Sequence, residues 1–392
     1  MQGNPSPAPP VCSGVKKPIL FAALCLLTTA VFAQDDQKEK AAPPAPALGP
    51  KAEAMIEQLL PVCSEQATLT RTGLMHALPA NMTGNVIQID SKRNWCGGQW
   101  VAVVSKEGGF FLGIPWFLDN AEGATLEQKL QTFALQAMQQ TYTATVDRTK
   151  TRDGLYSVVL AQTTEHGKLP LEGEVDPAGT VLFMGHFLPL TTDPRTARTK
   201  NLTSLIEKSP ATGAANPQVT VIEFSDFECP SCQHAAGYMK PILAAHGDKV
   251  RYVRYDMPLI TIHPWAFSAA VAGRAVFRQK PDLFWTFKEK IYENQEKLNN
   301  FVIDDFVHGF AQDHELDLKK FDADVNSPEL RTEILRGLGA AFVNDVRATP
   351  TYLVNGVNVD PGNDGKALAE YVEKVLKGPA TPGRETPSKS GR

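Results

Sequence analysis

The sequence predicts an α/β domain with a helical insertion, preceded by a smaller α+β domain. The tetrapeptide CPSC at 229–232 follows a strand-like run at 219–224 and opens a helical stretch. Between this motif and the dipeptide at 349–350 lie four segments with helical periodicity. The chain of 392 residues also exceeds the usual size of one domain, so we expect a second unit upstream.

The first 33 residues have the organisation of a secretory signal peptide. Lys16 and Lys17 precede an apolar stretch at 19–31, which ends in small side chains suited to cleavage after Ala33. An uncleaved membrane tether is the alternative, although the apolar stretch is shorter than the roughly 20 residues that span a bilayer. The sequence therefore predicts export to the periplasm or a similar oxidising space, where disulfides persist.

Two segments have the composition of disordered chain. Residues 34–50 are rich in charge, alanine and proline, and residues 378–392 are rich in proline, glycine and serine. Neither has the apolar content that a packed core needs. We therefore predict a disordered linker before the first domain and a disordered tail after the last one.

Residues 51–192 are predicted to form the N-terminal α+β domain. Helical periodicity marks residues 52–60 and 126–140. The predicted strands are residues 85–89, 100–104, 142–147, 156–162 and 180–188. Helices layered on one antiparallel sheet are the expected arrangement.

Cys63 and Cys96 both lie in this first domain. In an exported protein an even pair of cysteines most simply forms a structural disulfide. The alternative is a second redox pair that relays electrons to or from Cys229, although nothing in the spacing requires it.

The boundary between the domains is placed near residue 200. Residues 193–217 are predicted to be a connector with a short helix at 202–207. A loop at 209–218 would then lead into the strand that precedes the CPSC motif.

The CPSC motif is predicted to be a redox pair at the start of a helix over residues 229–245, kinked at Pro241. Two cysteines at this spacing close a small disulfide ring, and the unpaired N–H groups of a helix start stabilise a thiolate. Cys229 is therefore expected to be acidic and nucleophilic, and Cys232 more buried. The same spacing builds zinc sites, but these need four ligands and no second CxxC accompanies the motif. Haem attachment would need histidine at 233, where glutamine stands.

Residues 221–232, VIEFSDFECPSC, and residues 348–356, ATPTYLVNG, resemble the DsbA-like branch of the thioredoxin-fold thiol–disulfide oxidoreductases. The resemblance implies a thioredoxin fold over residues 218–377, with the helical insertion at about residues 263–345. It also implies that Cys229 and Cys232 are the catalytic pair.

Five further residues receive a role from the resemblance. Pro350 would follow a cis peptide bond and lie against the disulfide, and the backbone of Thr349 would pair with a substrate peptide. Pro230 and Ser231 would also contact the substrate. Glu223 would be a buried acid that helps to move protons to and from Cys232. A glutamate that points to solvent from an edge strand is the alternative interpretation of Glu223.

The predicted insertion contains helices at residues 266–278, 283–294, 303–314 and 330–345. Ser327 and Pro328 are a typical N-cap and first position for the last of these helices. The resemblance implies that the insertion roofs the site and shapes a groove for unfolded chains. The aromatic residues of the insertion either line that groove or form its core: Trp265, Phe267, Phe284, Trp285 and Phe287. A strand at 351–354, a turn at 355–356, a strand at 357–359 and a helix at 366–376 complete the domain.

The composition excludes several other functions. The formal net charge is −4 and no basic patch interleaves with aromatic residues, which argues against nucleic-acid binding. Phosphate loops, dinucleotide fingerprints and hydrolase elbows are lacking too, so we expect thiol chemistry without a soluble cofactor or metal.

We therefore expect an exported thiol–disulfide oxidoreductase that acts on unfolded or reduced exported proteins, most simply a DsbA-like oxidase. A redox partner would reoxidise or reduce the CPSC pair. Ser231 stands where the best-known DsbA pattern has histidine, which favours a weaker oxidant, and Thr349 is also typical of isomerases. A disulfide isomerase or reductase, dimerised by the N-terminal domain, is thus the alternative. A holdase chaperone or binding module is the alternative from a different class.

Overall fold

The computed structural model describes residues 42–92 and 96–378 of the chain. The predicted signal peptide, residues 34–41 of the predicted linker and all but the first residue of the predicted tail lie outside the described residues. Within the described ranges, none of the helices combines the length and the apolar character that crossing a bilayer requires.

The N-terminal region, residues 42–206, consists of helices around two antiparallel sheets. Its elements in chain order are α1 (Pro50–Leu59), β1 (Ala67–Gly73), β2 (Met82–Ser91), β3 (Gly98–Ser105), β4 (Gly109–Gly113), β5 (Pro115–Phe117), α2 (Leu126–Met138), β6 (Tyr142–Arg152), β7 (Leu155–Thr164), β8 (Gly167–Val175), β9 (Val181–Met184), β10 (Leu188–Pro189) and α3 (Pro194–Ile206). One sheet has the order β1-β2-β3-β4-β10, and the other has the order β5-β9-β8-β7-β6.

The prediction of a single sheet in this region is wrong. The residues predicted as one strand at 180–188 divide into β9 and β10, which belong to different sheets. The division falls at Gly185, whose φ of 109° is accessible to glycine but strained for other residues. Apolar side chains from both sheets, among them Phe111 and Phe183, then pack into a shared core.

The prediction of a disordered linker is wrong for its described part. Helix α1 already begins at Pro50, and residues 42–49 run along the first sheet. The carbonyl oxygen of Pro43 accepts a hydrogen bond from Gly73 N at 2.7 Å, and that of Pro46 accepts one from Asn85 Nδ2 at 3.2 Å. The prolines that lower the helical propensity of this segment suit it to lie extended at a sheet edge.

The predicted connector is more ordered than expected. Helix α3 starts eight residues before the predicted short helix, because Asp193 Oδ1 accepts hydrogen bonds from the N–H groups of Arg195 and Thr196 at 2.9 Å each. Downstream, the segment predicted as a loop contains a strand, Ala211–Gly213, that joins the C-terminal sheet. The connector is therefore part of both regions.

The C-terminal region, residues 207–378, has the sheet and helices of a thioredoxin fold with an insertion. Its elements are β11 (Ala211–Gly213), β12 (Val219–Ser225), α4 (Pro230–Ala235), α5 (Met239–His246), β13 (Val250–Asp256), α6 (Ala266–Gln279), α7 (Leu283–Asn294), a 3₁₀ turn (Gln295–Lys297), α8 (Ile303–Asp313), α9 (Leu318–Val325), α10 (Pro328–Val343), β14 (Thr351–Val354), β15 (Val357–Val359) and α11 (Lys366–Lys377). The sheet order is β11-β13-β12-β14-β15, with β12 parallel to β13 and antiparallel to β14.

The helix predicted over 229–245 is two helices, and the predicted kink at Pro241 is wrong. The break comes earlier, at residues 236–238, between α4 and α5. Pro241 thereby falls in the first turn of α5. The missing N–H of a proline costs no hydrogen bond there, because the first turn of a helix has no internal partner for it.

Five helices, α6 to α10, lie between β13 and β14 and form the insertion. Ser327 Oγ accepts a hydrogen bond from Leu330 N at 3.3 Å and caps α10. Trp265, Phe284 and Phe287 are buried with the two CPSC cysteines in one apolar cluster. Most of the aromatic residues of the insertion are therefore core rather than groove lining.

The two regions share an extensive contact. Trp100 Nε1 donates a hydrogen bond to Asp345 Oδ2 at 2.7 Å. Gly339 of α10 lies against β8 so closely that a Cβ atom would come within 1.9 Å of the carbonyl oxygen of Pro170. Apolar residues from both regions, such as Leu171 and Leu338, belong to one continuous core.

Candidate functional site

The CPSC motif lies at the carboxyl end of the central strand β12. Cys229 is the N-cap residue of α4, and Cys232 lies in its first turn. The carbonyl oxygen of Cys229 accepts hydrogen bonds from Cys232 N at 3.0 Å, from Gln233 N at 3.1 Å and from Gln295 Nε2 at 3.1 Å. The motif is thus fixed both by its own helix and by the insertion.

The two cysteines are free thiols with different surroundings. Cys229 is 7% exposed and Cys232 is fully buried. A hydrogen bond from the Cys232 side chain lowers the pKa of Cys229 to about 6, and this outweighs the opposing effect of burial. Burial raises the pKa of Cys232 well above its usual range. One thiol is therefore prepared to be a thiolate and the other to hold its proton.

The residues predicted at 349–350 lie beside Cys229. The Thr349–Pro350 peptide bond is cis, and the carbonyl oxygen of Thr349 is 3.5 Å from Cys229 Sγ. Both residues are buried. Of the other predicted substrate contacts, Pro230 is exposed and Ser231 is half-buried.

Glu223 is buried on β12, two strands away from the sheet edge on either side. Its carboxylate accepts a hydrogen bond from the hydroxyl of Tyr252, and Lys288 Nζ donates one to the same hydroxyl at 3.1 Å. Lys288 is only 5% exposed, and burial lowers its pKa against the attraction of Glu223. The interpretation of Glu223 as a solvent-facing edge glutamate is therefore wrong.

The Asp226–Glu228 segment before the motif carries two carboxylates, and no sequence motif assigns either of them a role. Asp226 N donates a hydrogen bond to Cys232 Sγ at 3.4 Å, and its carboxylate lies 2.7 Å from His263 Nδ1. Glu228 Oε2 accepts hydrogen bonds from Trp265 N at 2.7 Å and Ala266 N at 3.0 Å. The presence of two acidic residues directly before a redox pair could have indicated a role for them. Their partners His263 and Trp265, however, are 37 residues away in the sequence, so the contacts themselves could not be predicted.

The loop that carries His263 also contacts the N-terminal region. An apolar pocket lies between this loop and the second N-terminal sheet, with Leu259 and Ile260 on one side and Tyr142 and Leu171 on the other. The imidazole of His166, in the β7–β8 turn, stacks on Phe267 with ring centroids 4.1 Å apart. The N-terminal region thus supports the chain segment that faces Asp226.

Cys63 and Cys96 form a disulfide in the N-terminal region, with Cα atoms 5.4 Å apart. Cys96 is fully buried. The structure pairs these two cysteines with each other and leaves Cys229 and Cys232 as thiols. Across the described ranges, three or more His, Cys, Asp or Glu side chains do not come together in a way that would hold a metal ion.

Comparison with known proteins places the C-terminal region. Residues 206–374 match the family model described as Thioredoxin. A Na(+)/H(+) antiporter NhaA from Herminiimonas arsenicoxydans is 31% identical over 176 residues, which are 45% of this chain and 27% of that protein. Disulfide bond formation protein D from Bacillus subtilis is 27% identical over 183 residues, which are 44% of this chain and 79% of that protein.

Oxidised BdbD from Bacillus subtilis has 25% sequence identity and a TM-score of 0.40, and the match covers 44% of this chain and 95% of that chain. The predicted resemblance to DsbA-like thioredoxin-fold oxidoreductases is confirmed for the C-terminal region by the family match and by the disulfide bond formation relatives. The predicted class, a thioredoxin fold with an insertion behind an α+β domain, is confirmed as well. This chain spans about a quarter of the length of that antiporter.

Proposed function

We propose that this chain is an exported thiol–disulfide oxidoreductase that donates a Cys229–Cys232 disulfide to reduced substrate proteins. The observation that carries the proposal is the asymmetry of the two thiols. The pKa of Cys229 is lowered to about 6, whereas burial raises that of Cys232. Thiol–disulfide exchange needs such a pair, in which one sulfur is attacked and leaves readily while the other resolves the intermediate.

The exchange begins with the oxidised pair. A substrate thiolate attacks Cys229 Sγ, the Cys229–Cys232 bond breaks, and its electron pair passes to Cys232 Sγ. The product is a mixed disulfide between the substrate and Cys229. Because Cys232 is fully buried, its sulfur takes up a proton rather than remaining a thiolate.

The second step releases the substrate. Another substrate thiolate attacks the substrate sulfur of the mixed disulfide, and Cys229 leaves as a thiolate. The substrate has then lost two electrons and two protons. The CPSC pair has gained both electrons and, at Cys232, one proton, and the second proton passes to solvent because Cys229 remains a thiolate. A partner that accepts two electrons must restore the disulfide before the next cycle.

Three features support roles for the surrounding residues. The carbonyl oxygen of Thr349 lies beside Cys229, so a substrate peptide that pairs with this backbone would bring its sulfur to Cys229 Sγ. Pro350 holds that backbone in place, and the exposed Pro230 and half-buried Ser231 border the approach. The Glu223 cluster with Tyr252 and Lys288 is the buried acid–base group that we assign to proton transfer at Cys232.

The proposed direction follows from the thiolate. A more stable Cys229 thiolate favours the reduced pair and makes the disulfide a stronger oxidant. The pKa of Cys229 lies well below the usual cysteine value, as do those of the reactive cysteines of thioredoxin and DsbA. We therefore expect a reduction potential within the range that these two proteins span, from about −270 to about −120 mV.

The first experiment measures this potential in glutathione buffers, together with the oxidation of a reduced two-cysteine peptide. The protein begins after Ala33, so that the predicted signal peptide is absent. Cys229→Ser should abolish peptide oxidation, whereas the control Cys63→Ser/Cys96→Ser should retain it. A potential at or below about −270 mV would overturn the donor role and indicate a reductase.

Export is a separate part of the proposal. N-terminal sequencing of protein recovered from the periplasmic fraction should begin at residue 34, because small side chains precede that bond. Sedimentation of the same sample then gives the oligomeric state. A monomer agrees with the donor role, and a dimer favours the isomerase alternative.

A further inference from the structure

Asp226 is a buried carboxylate to which the exchange steps assign no role. Its side chain is fully buried, and Oδ2 accepts a hydrogen bond from Leu259 N at 2.7 Å. The same oxygen lies 2.7 Å from Nδ1 of His263, whose side chain is 15% exposed. Oδ1 accepts a hydrogen bond from Glu228 N at 2.7 Å. The contacts of Oδ2 join the loop before the CPSC motif to the loop after β13, and the contact of Oδ1 lies within the first of these loops.

The backbone of Asp226 contacts both residues of the pair. Asp226 N donates to Cys232 Sγ at 3.4 Å, and Asp226 O accepts from Cys229 N at 3.4 Å. A negative charge here opposes ionisation of a neighbouring thiol, and Asp226 indeed contributes to raising the pKa of both cysteines. A positive charge in contact with this carboxylate would offset its effect on the thiols.

His263 is the cationic side chain in contact with Asp226. Ser231, inside the motif, carries no charge that would serve instead. Burial lowers the pKa of His263, but the hydrogen bond with Asp226 and the negative charges of Asp226, Cys229 and Glu228 together more than offset this and leave the pKa above its usual value. The negative groups that face the imidazole are Asp226, Glu228 and the Cys229 thiolate, and all three favour its protonated form.

The imidazole is also fixed in position. His263 N donates a backbone hydrogen bond to Leu259 O at 2.9 Å, which closes the loop around Asp226. Two residues later, the N–H of Trp265 bonds to Glu228 Oε2 at 2.7 Å. The loop is therefore bound on both sides of His263 to the segment that leads into Cys229.

We infer that His263, held by Asp226, is the positioning cation that stabilises the Cys229 thiolate and makes the oxidising strength of the pair depend on the protonation of this histidine. The inference deepens the proposed function and rests on it. Protonated His263 neutralises Asp226, favours the thiolate and thereby favours the reduced pair. Loss of the proton leaves the carboxylate uncompensated, which disfavours the thiolate and weakens the oxidant.

The test compares the native protein with His263→Gln, whose amide still donates to Asp226 but carries no charge. The first readout is the equilibrium in which two glutathione thiols reduce the Cys229–Cys232 disulfide to two thiols and form glutathione disulfide. At about pH 6 we expect the variant to be about threefold to tenfold less oxidising. At high pH, where native His263 is neutral, the difference should fall below about twofold. The matched control is His308→Gln, which removes an exposed histidine 3.6 Å from Asp322 and should change neither value.

The second readout is the pH profile of Cys229 alkylation in the reduced protein, which reports the thiolate without any exchange reaction. His263→Gln should move the midpoint of this profile to higher pH. If the native protein does not exchange with glutathione but the midpoint still moves, the proposed function fails and the role of His263 stands. If exchange is normal and neither readout differs from the native protein, the inference is overturned.

A charge-retaining variant covers the case in which His263→Gln does not fold. His263→Arg keeps a cation beside Asp226 at every pH. We expect its alkylation midpoint to stay at the native value and its oxidising strength relative to the native protein to increase as the pH rises. A midpoint shifted to higher pH in this variant would contradict a role for the positive charge.

Discussion

The two cysteine pairs of this protein are both largely buried, yet only one of them is prepared to react. Cys63 and Cys96 lie 33 residues apart and are joined in a disulfide within the N-terminal region. Cys229 and Cys232 lie at a helix start, where a backbone N–H and the carbonyl oxygen of Thr349 contact their sulfurs. Cys96 and Cys232 are equally inaccessible, at 0% exposure. Burial therefore does not distinguish a structural cysteine from a reactive one, whereas polar groups directed at the sulfur do.

The largest effect should come from removing the N-terminal disulfide. We expect Cys63→Ser/Cys96→Ser to lower the free energy of unfolding by about 2 to 4 kcal/mol, because the open chain regains the entropy of a long loop. Peptide oxidation by Cys229 should be unchanged. Denaturant unfolding gives the first quantity and thiol titration of the peptide gives the second.

The control for this comparison is Cys229→Ser/Cys232→Ser, measured against the reduced native protein. That variant should lose peptide oxidation and change the stability by less than about 1 kcal/mol, because no covalent link is removed. Loss of oxidation in the Cys63→Ser/Cys96→Ser protein, with the fold intact, would instead support an electron relay between the two pairs.

The contrast between the pairs also explains what the sequence can predict. The CPSC motif is a local pattern, whereas the cis bond before Pro350 and the burial of Glu223 were expected from the resemblance to DsbA-like proteins. Asp226 and His263 are 37 residues apart, and Tyr252 and Lys288 are 36 apart, so their contacts exist only after the chain has folded. No local pattern encodes such pairs.

The N-terminal region was predicted less well for the same reason. Its strands were identified where apolar and polar residues alternate, but the division into two sheets depends on long-range pairing. β4 pairs with β10 across 75 or more residues, whereas β9 turns away at Gly185 to pair with β8. The thioredoxin sheet was easier to place because the CPSC motif and Thr349-Pro350 anchor two of its strands.

A second comparison separates proton transfer from thiolate stabilisation at the active pair. We expect Glu223→Gln to slow by about tenfold near neutral pH the decay of the mixed disulfide by attack of Cys232, which is the reverse of the first exchange step, because Cys232 loses the group that removes its proton. The alkylation midpoint of Cys229 should stay the same in this variant. Stopped-flow measurement of mixed-disulfide decay and the alkylation profile give the two values.

Lys288→Met tests whether Glu223 acts with its neighbours. If Glu223, Tyr252 and Lys288 form one unit, Glu223→Gln/Lys288→Met should be little slower than the slower single variant. If the effects of the two single variants on the decay rate of the mixed disulfide add up in the double variant, the three residues do not act as one unit. A shift of the Cys229 midpoint in either variant would show that the cluster acts on the thiolate instead.

The smallest expected effect concerns a histidine in the N-terminal region and completes the comparison with His263. His186 Nε2 lies 3.2 Å from Glu172 Oε2, and Nδ1 lies 3.5 Å from Glu174 Oε1. The hydrogen bond with Glu172, reinforced by Glu174, raises the pKa of His186 to about 9. Its unfolded value is about 6.5, so the stabilisation is complete below about pH 6.5 and is lost as the pH rises through about 9.

The test is urea unfolding of the native protein and His186→Gln at several pH values. The His186 side chain is 38% exposed, and solvent screening limits the expected difference in free energy of unfolding to about 1 kcal/mol at pH about 6. That difference should disappear above pH about 9, and peptide oxidation by Cys229 should be the same in both proteins throughout. A change in oxidation with no change in stability would mean that charge in the N-terminal region acts on the redox pair. We therefore assign pH sensitivity of stability to His186 and pH sensitivity of the thiol chemistry to His263, because Asp226, the partner of His263, also donates its backbone N–H to Cys232 Sγ.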